Sequence, residues 1–324
     1  MRSFIANEND SGLRLDKFIK KVLKYAPDSL IYKHIRKKNI KVNGKKHEIS
    51  YKLQVGDNVT FYVNDDLFFD AVENENSFLK IKPDLDIVYE DENIMIIDKK
   101  QGVIVHTDEN ENFNTLISHI WAYLYQKGEF DYENELSFKP ALCNRLDRNT
   151  SGLIMAAKNA AALRAVNEAI KNNETVKKYL CYVYETPTPA EKTLTAYHFK
   201  DELKKEVYIK NQKADGYKEI KTKYKVLQNF IIKSTPLSLL EIHLITGRTH
   251  QIRAHLAHIG HPLIGDGKYG RNEINKKLGM KFQCLCAYKL KFAVKDPQNM
   301  LFYLNDKEFT SPKGDFSDAY TFFK

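Results

Sequence analysis

The chain has 324 residues, more than one hydrophobic core usually organises, so a large domain beside a small one is expected. A hydrophobic fraction of 43% can fill a core, yet no apolar run approaches the ~20 residues a membrane-spanning helix needs. Lys and Arg number 51 against 42 Asp and Glu, a formal charge of +9 that favours a polyanionic partner through counterion release and is equally compatible with an ordinary basic protein. Met1 to Glu8 has no apolar signal core, and Cys143, Cys181, Cys284 and Cys286 fit neither a disulfide framework nor a zinc ribbon. A cytosolic protein with reduced, buried thiols is the reading.

Residues 1–63 read as one compact unit. Leu13, Leu15, Phe18, Ile19, Val22 and Leu23 recur at helical spacing, and a shorter helix runs through Leu30, Ile31, His34 and Ile35. Ile40-Lys41-Val42 is a predicted strand entering an Asn43-Gly44 turn, and Val55-Gly56-Asp57 turns into a strand reaching Val63. Lys17, Lys20, Lys21 and Lys24 lie on the first helix, and Lys33, Arg36, Lys37 and Lys38 on the second. A solvated face is the plain explanation of such runs; their density without matching acids favours phosphate contacts. Arg14-Leu15-Asp16-Lys17-Phe18, the basic helix, Lys41-Val42-Asn43-Gly44 and Val55-Gly56-Asp57 together resemble an S4 RNA-binding domain, a small α/β unit.

Residues 64–84 are polar, acidic and aperiodic, and read as a linker with Phe68 and Phe69 as docking anchors. Two domains on a linker gain avidity on one extended RNA. The larger unit spans 85–324. Leu85 to Lys99 gives two strands around a short acidic turn, Gly152 to Ala157 an apolar strand, and Lys178 to Glu185 another. Asn159 is placed to cap a helix with Leu163, Val166 and Ile170 on one face. Leu240, Ile242 and Leu244 alternate with Glu241 and His243, which predicts a half-buried strand; Thr249 to Ile259 follows as a helix ending at Gly260. Strands outnumber helices without regular β-α-β alternation. An α+β fold with a mixed, largely antiparallel sheet is therefore favoured over a doubly wound one.

Three segments concentrate polar groups. In Arg145-Leu146-Asp147-Arg148-Asn149-Thr150-Ser151-Gly152 a carboxylate sits between two guanidinium groups in a loop entering the apolar strand. Charge clusters on loops are often surface ion pairs, and Arg14-Leu15-Asp16 repeats the tripeptide at the start of a helix, where Asp16 suits the positive dipole end. Only the following Thr-Ser-Gly and its strand set the second copy apart. In Lys177-Lys178-Tyr179-Leu180-Cys181-Tyr182, Tyr179 and Tyr182 fall on opposite strand faces, so one ring can face a cleft and serve as a platform for an unstacked base. In Thr246-Gly247-Arg248-Thr249-His250-Gln251-Ile252-Arg253, Arg248 marks a strand-to-helix junction. His250, His255, His258 and His261 invite a metal, but their spacing lacks the helical pair and third ligand of a zinc site.

Asp147 in its Arg-Leu-Asp-x-x-Thr-Ser-Gly setting, Lys178-Tyr179, and Thr246-Gly247-Arg248-x-His250-Gln251-Ile252-Arg253 stand in the order that resembles RluA-type pseudouridine synthases, in the C/D branch for large ribosomal RNA. The chain departs from that pattern at Asn144, where His is usual, and at Lys100, where Pro is usual. The resemblance implies isomerisation of uridine to pseudouridine in structured RNA without metal or other cofactor. It implies Asp147 as the catalytic carboxylate, Arg248 paired with it, and Tyr179 stacked on the uracil and able to assist removal of the C5 proton. Arg145, Arg148 and Arg253, with Lys33, Arg36, Lys37 and Lys38, are the expected RNA contacts. Large-subunit ribosomal RNA is the expected substrate and a monomer the expected form. The alternatives are the same chemistry on tRNA and a non-catalytic S4-type RNA-binding or assembly protein.

Overall fold

The computed structural model describes residues 1–23, 26–68, 77–106, 113–133, 135 and 137–312. Lys24, Phe69 and the last twelve residues of the sequence lie outside them. The N-terminal unit is a three-stranded antiparallel sheet, in the order β1 (Arg2–Ile5), β3 (Asn58–Phe61), β2 (Ile40–Val42), under two helices. Helix α1 (Leu15–Val22) turns Leu15, Phe18 and Ile19 inward, as the spacing predicts, and α2 (Asp28–Arg36) contributes Ile31. They pack on Val42, Val59 and Phe61 in a core of their own. Asn43 and Gly44 both take positive φ (50° and 73°) and close a bridge between Val42 and Lys45, the geometry an Asn-Gly turn supplies. The edge strand β1 is not foreseen by periodicity: four residues alternating exposed and half-buried leave little signal.

The larger unit is built on an eleven-stranded sheet. Its main path runs β10 (Glu206–Lys210), β9 (Glu191–Asp201), β11 (Lys218–Ile232), β12 (Thr235–Leu244), β8 (Thr175–Tyr184), β13 (Leu285–Phe292), β7 (Ser151–Ala157), β5 (Ile94–Lys99), β4 (Ile87–Glu90). All neighbours on this path are antiparallel except β13 and β7, which run parallel through only Cys286↔Ser151 and Ala287↔Gly152 and then diverge. The short strands β6 (Ala141–Leu142) and β14 (Glu308–Thr310) occupy the two arms of this fork. Gly152 sits in its crook at φ +104°, where an added Cβ would lie 2.3 Å from the Ala287 carbonyl oxygen. A side chain there would force the two halves of the sheet apart.

Helices α3 (Leu116–Gln126) and α5 (Gln251–His258) cover one face, where Ile120 and Leu256 join Ile97, Ile154 and Ile242. Helix α4 (Ala160–Lys171), capped by Asn159 accepting from the Ala162 N–H at 2.8 Å, covers the other face beside Ile96 and Leu153. Near α6 (Asn272–Leu278) a third cluster buries Leu237 and Leu239 of β12, whereas Leu240 and Ile242 belong to the α5 side. β12 is therefore covered on both faces at Leu237 to Leu239, while from Leu240 onward it alternates as the sequence predicts, with Glu241 and His243 on the more open side.

The segment expected as a linker is pinned at each described end. Phe68 packs on Phe4 and Phe61 of the small unit, with ring centroids 5.9 and 5.7 Å away, while Phe78 and Ile81 enter the large core ahead of residue 85. The two units also touch directly. Asn7 and Asn9 donate to Glu135 at 3.0 and 2.7 Å, the Asn9 side chain accepts from the Ala160 N–H, and Lys21 donates to the Ser137 carbonyl.

Candidate active site

The loop before β7 is fixed from four sides. The Asn144 side-chain oxygen accepts from the Met155 N–H at 2.9 Å, so the residue that departs from the family pattern secures the loop to its strand. Leu146 plugs into the core, and the Thr150 N–H closes a turn onto the Asp147 carbonyl at 3.0 Å. Gln283 donates to the Thr150 hydroxyl. Beneath the loop Lys99, only 1% exposed, donates to the carbonyls of Lys100, Val103 and Arg148 at 3.0, 2.9 and 3.0 Å. Burial pushes its pKa down to about 8, with the Asp147 charge working the other way. Lys100, in place of the usual Pro, pairs with Asp84 at the surface.

Asp147 projects from this loop with 26% of its side chain exposed, at the floor of a cleft of about 940 Å³. Its guanidinium partner is Arg253, not Arg248. Arg253 donates from Nη1 to Asp147 Oδ2 at 2.8 Å, and from Nε and Nη2 to the two oxygens of Asp266 at 2.7 and 3.0 Å. Asp266 is wholly buried. Burial alone would raise its pKa, but the Arg253 bonds and charge and the N–H groups of Tyr269 and Lys268 outweigh it, and the pKa is lowered. Two carboxylates thus hold one guanidinium rigidly, and that guanidinium orients Asp147. Oδ2 is engaged, while Oδ1 faces the cleft.

The expected pairing of Arg248 with Asp147 is therefore corrected, as is Arg253 as an RNA contact. Arg248 belongs to the exposed loop before α5; its backbone N–H donates to the Gln251 side-chain oxygen at 3.1 Å and the residue lines the cleft. Arg253 lies in the first turn of the helix, buried against the sheet. The available sequence signal was periodicity. Arg253 lies three residues before Leu256 of the core, the spacing that puts two side chains on one helix face; His250, which precedes the helix, also approaches Asp147. His250 Nε2 lies 4.0 Å from Asp147 Oδ1, and its Nδ1 is 2.9 Å from the Tyr269 hydroxyl.

Tyr179 reaches the cleft from β8, buried, with its phenol pKa raised by burial and then by the Asp147 charge. Tyr182 faces the opposite side and packs on Phe230. Lys177 shares the cleft face with Tyr179, two residues apart, while Lys178 turns away to pair with Glu241 at 3.0 Å. Arg145 stands exposed at the mouth, and Arg148 beside it bonds through Nε to the Gly102 carbonyl at 3.2 Å. Lys33, Arg36, Lys37 and Lys38 are all exposed at and beyond the C-terminal end of α2. The other imidazoles that hinted at a metal have separate partners: His255 faces Thr222, His258 faces Asn211 and His261 faces the Tyr184 carbonyl.

A family model described as RNA pseudouridylate synthase matches residues 93–258, and the S4 domain model matches residues 13–59. The chain is 34% identical to a protein of Mycoplasma capricolum described as an uncharacterized RNA pseudouridine synthase, across 95% of this chain and 96% of that one. It is 31% and 30% identical to the ribosomal large subunit pseudouridine synthases C of Salmonella typhimurium and Escherichia coli, across 88% of this chain and 86% of each. Among solved structures it resembles human RNA pseudouridylate synthase domain containing 1, with a TM-score of 0.52 at 22% identity over 69% of this chain and 89% of that chain, a likeness of fold. With one model matching about half of the chain, Asp147 included, and a relative 34% identical along nearly its whole length, the chain belongs to the RNA pseudouridylate synthase family, whose members isomerise uridine to pseudouridine, and carries an S4 RNA-binding domain.

Proposed function

We propose that this enzyme isomerises particular uridines of large-subunit ribosomal RNA, with Asp147 as its catalytic carboxylate. One observation carries the assignment: Asp147 has one oxygen locked by Arg253 and the other without a hydrogen bond, in a cleft that Tyr179 also lines. The relatives described as ribosomal large subunit pseudouridine synthases support the choice of RNA. Residues 1–63 serve as the RNA-binding unit and 85–324 as the catalytic one. The enzyme works as a monomer in the cytoplasm, where ribosomal RNA is found.

The reaction breaks the N1–C1′ bond, turns the uracil and joins C5 to C1′, with no redox change and no water consumed. A single carboxylate therefore suffices where a glycoside hydrolase commonly uses two. Oδ1 serves either by attacking C1′ to give a sugar ester or by removing the C2′ proton to give a glycal. Arg253 keeps the carboxylate oriented through both halves of the reaction. Tyr179 supplies a flat apolar ring against which the extruded uracil stacks. Arg145, Arg148 and Arg248 at the mouth, with the exposed cations of α2, hold phosphates on either side.

The test is a map of pseudouridines in ribosomal RNA from cells lacking this protein, compared with cells complemented by wild type or by Asp147→Asn. Wild type restores specific large-subunit positions and Asp147→Asn restores none. Sites returning with Asp147→Asn would remove the carboxylate assignment, and losses confined to tRNA would remove the ribosomal one.

A further inference from the structure

One imidazole in the cleft has no part in the mechanism so far. His250 adopts a left-handed backbone, φ 54° and ψ 20°, immediately before α5. That conformation is uncommon for a residue with a side chain, and here it places the ring in the cleft beside the reacting oxygen. The ring is held edge-on to Tyr269, with centroids 5.7 Å apart, and Nδ1 lies 2.9 Å from the Tyr269 hydroxyl. Tyr269 is in turn tied through its N–H to Asp266, the carboxylate that anchors Arg253. Asp147, Arg253, Asp266 and Lys268 are the charged groups around it; burial lowers its pKa and Asp147 opposes, leaving a neutral imidazole. In the tautomer with Nδ1–H donating to the Tyr269 oxygen, Nε2 turns a lone pair toward the space over Asp147 Oδ1.

The isomerisation requires a proton acceptor in that space. After the new bond forms, C5 carries both the sugar and its hydrogen, and C6 is doubly bonded to N1. C5 is then one carbon–carbon bond, about 1.5 Å, from the C1′ that Asp147 addresses, so its hydrogen lies within a few ångströms of Oδ1. His250 Nε2, 4.0 Å from that oxygen, stands at the same range. The phenol of Tyr179 keeps its proton, since burial and then the neighbouring carboxylate raise its pKa, and is the weaker base.

We propose that His250 is a catalytic residue, the base that takes the C5 proton. The C5–H electron pair forms the C5–C6 double bond, the C6–N1 π pair moves onto N1, and N1 takes a proton back from the imidazolium directly or through water. Protons and electrons balance with no co-reactant. This assignment rests on Asp147 as the carboxylate of the first step.

Single-turnover rates of the full-length protein, on a ribosomal RNA transcript made with either protium or deuterium at uridine C5, test the proposal. His250→Asn tolerates the left-handed backbone and removes the base, and His250→Gln keeps a polar side chain of similar reach. Both are expected to slow the reaction by about a hundredfold or more while binding RNA as wild type does. Both are expected to acquire a primary C5 isotope effect absent from wild type and from Tyr179→Phe. A wild-type rate in either variant, slowing without the isotope effect, or the effect arising in Tyr179→Phe instead would overturn it. Activity retained by Asp147→Asn would reveal failure of the underlying reading separately.

Discussion

The chain contains Arg-Leu-Asp twice, and the two copies fold into opposite situations. In both the Leu is buried: Leu15 in the small core and Leu146 in the large one. Asp16 opens α1 with 5% of its side chain exposed and takes two hydrogen bonds, at 3.0 and 3.1 Å, from Arg14 of its own tripeptide. Asp147 leaves its own arginines at the cleft mouth and takes its guanidinium from Arg253, 106 residues away, with one oxygen uncommitted. A carboxylate closed by its sequence neighbour is structural. One held from afar, with an oxygen spare, can react. The tripeptide sets where the Leu goes, and the distant partner sets what the Asp does.

Asp147→Asn separates the two copies most sharply: turnover should fall by roughly 10⁴ or more, measured as pseudouridine formed in single-turnover assays, with the melting temperature preserved. Next comes the identity of the distant partner. Arg253→Ala strands the buried Asp266 and should cost about 3–5 kcal/mol of folding stability in denaturant titration. Arg253→Lys keeps the charge without the fork and should lower turnover by about a hundredfold, whereas Arg248→Ala should weaken RNA binding and leave turnover at saturating RNA unchanged. If Arg248→Ala were the one to lose turnover, the assignment of the partner would be wrong.

A smaller effect concerns Lys99 under the loop. Its folded pKa of about 8 lies below the ordinary 10.5, so the unfolded chain binds more protons between those values and stability contributed there rises with pH. Unfolding free energies at pH 7.5 and 10 should show a rise from this group of up to about 2 kcal/mol in wild type, absent from Lys99→Met. Smallest is Asp16→Asn, expected to cost about 1 kcal/mol of stability in the S4 unit and nothing in turnover at saturating RNA.

Periodicity disclosed what is local. The amphipathic α1, the cap at Asn159, the Asn43-Gly44 turn and the strands bearing Asp98, Ile154 and Tyr179 all follow from neighbours in sequence. The resemblance supplied Asp147 and Tyr179 as site residues. Choosing between Arg248 and Arg253 was beyond both, because burial decides it: Arg248 lies in an exposed loop while α5 carries Arg253 against the sheet. Asp266 escaped notice as a site residue for the same reason. Its place in Gly265-Asp266-Gly267 looks like a surface turn, yet the fold buries it completely. The double cover of β12 likewise comes from α6 and the loop before it, twenty or more residues downstream.

The fork where β13 meets β7 also sets an order of assembly. β13 is made after every other strand on the main path of the sheet, yet it lies in its middle, between β8 and β7. Until Leu285 to Phe292 has emerged, the half bearing Asp147 and the half bearing Tyr179 and Arg253 have no shared ladder. The chemical groups of the site are therefore all made before the strand that laces their two halves into one sheet.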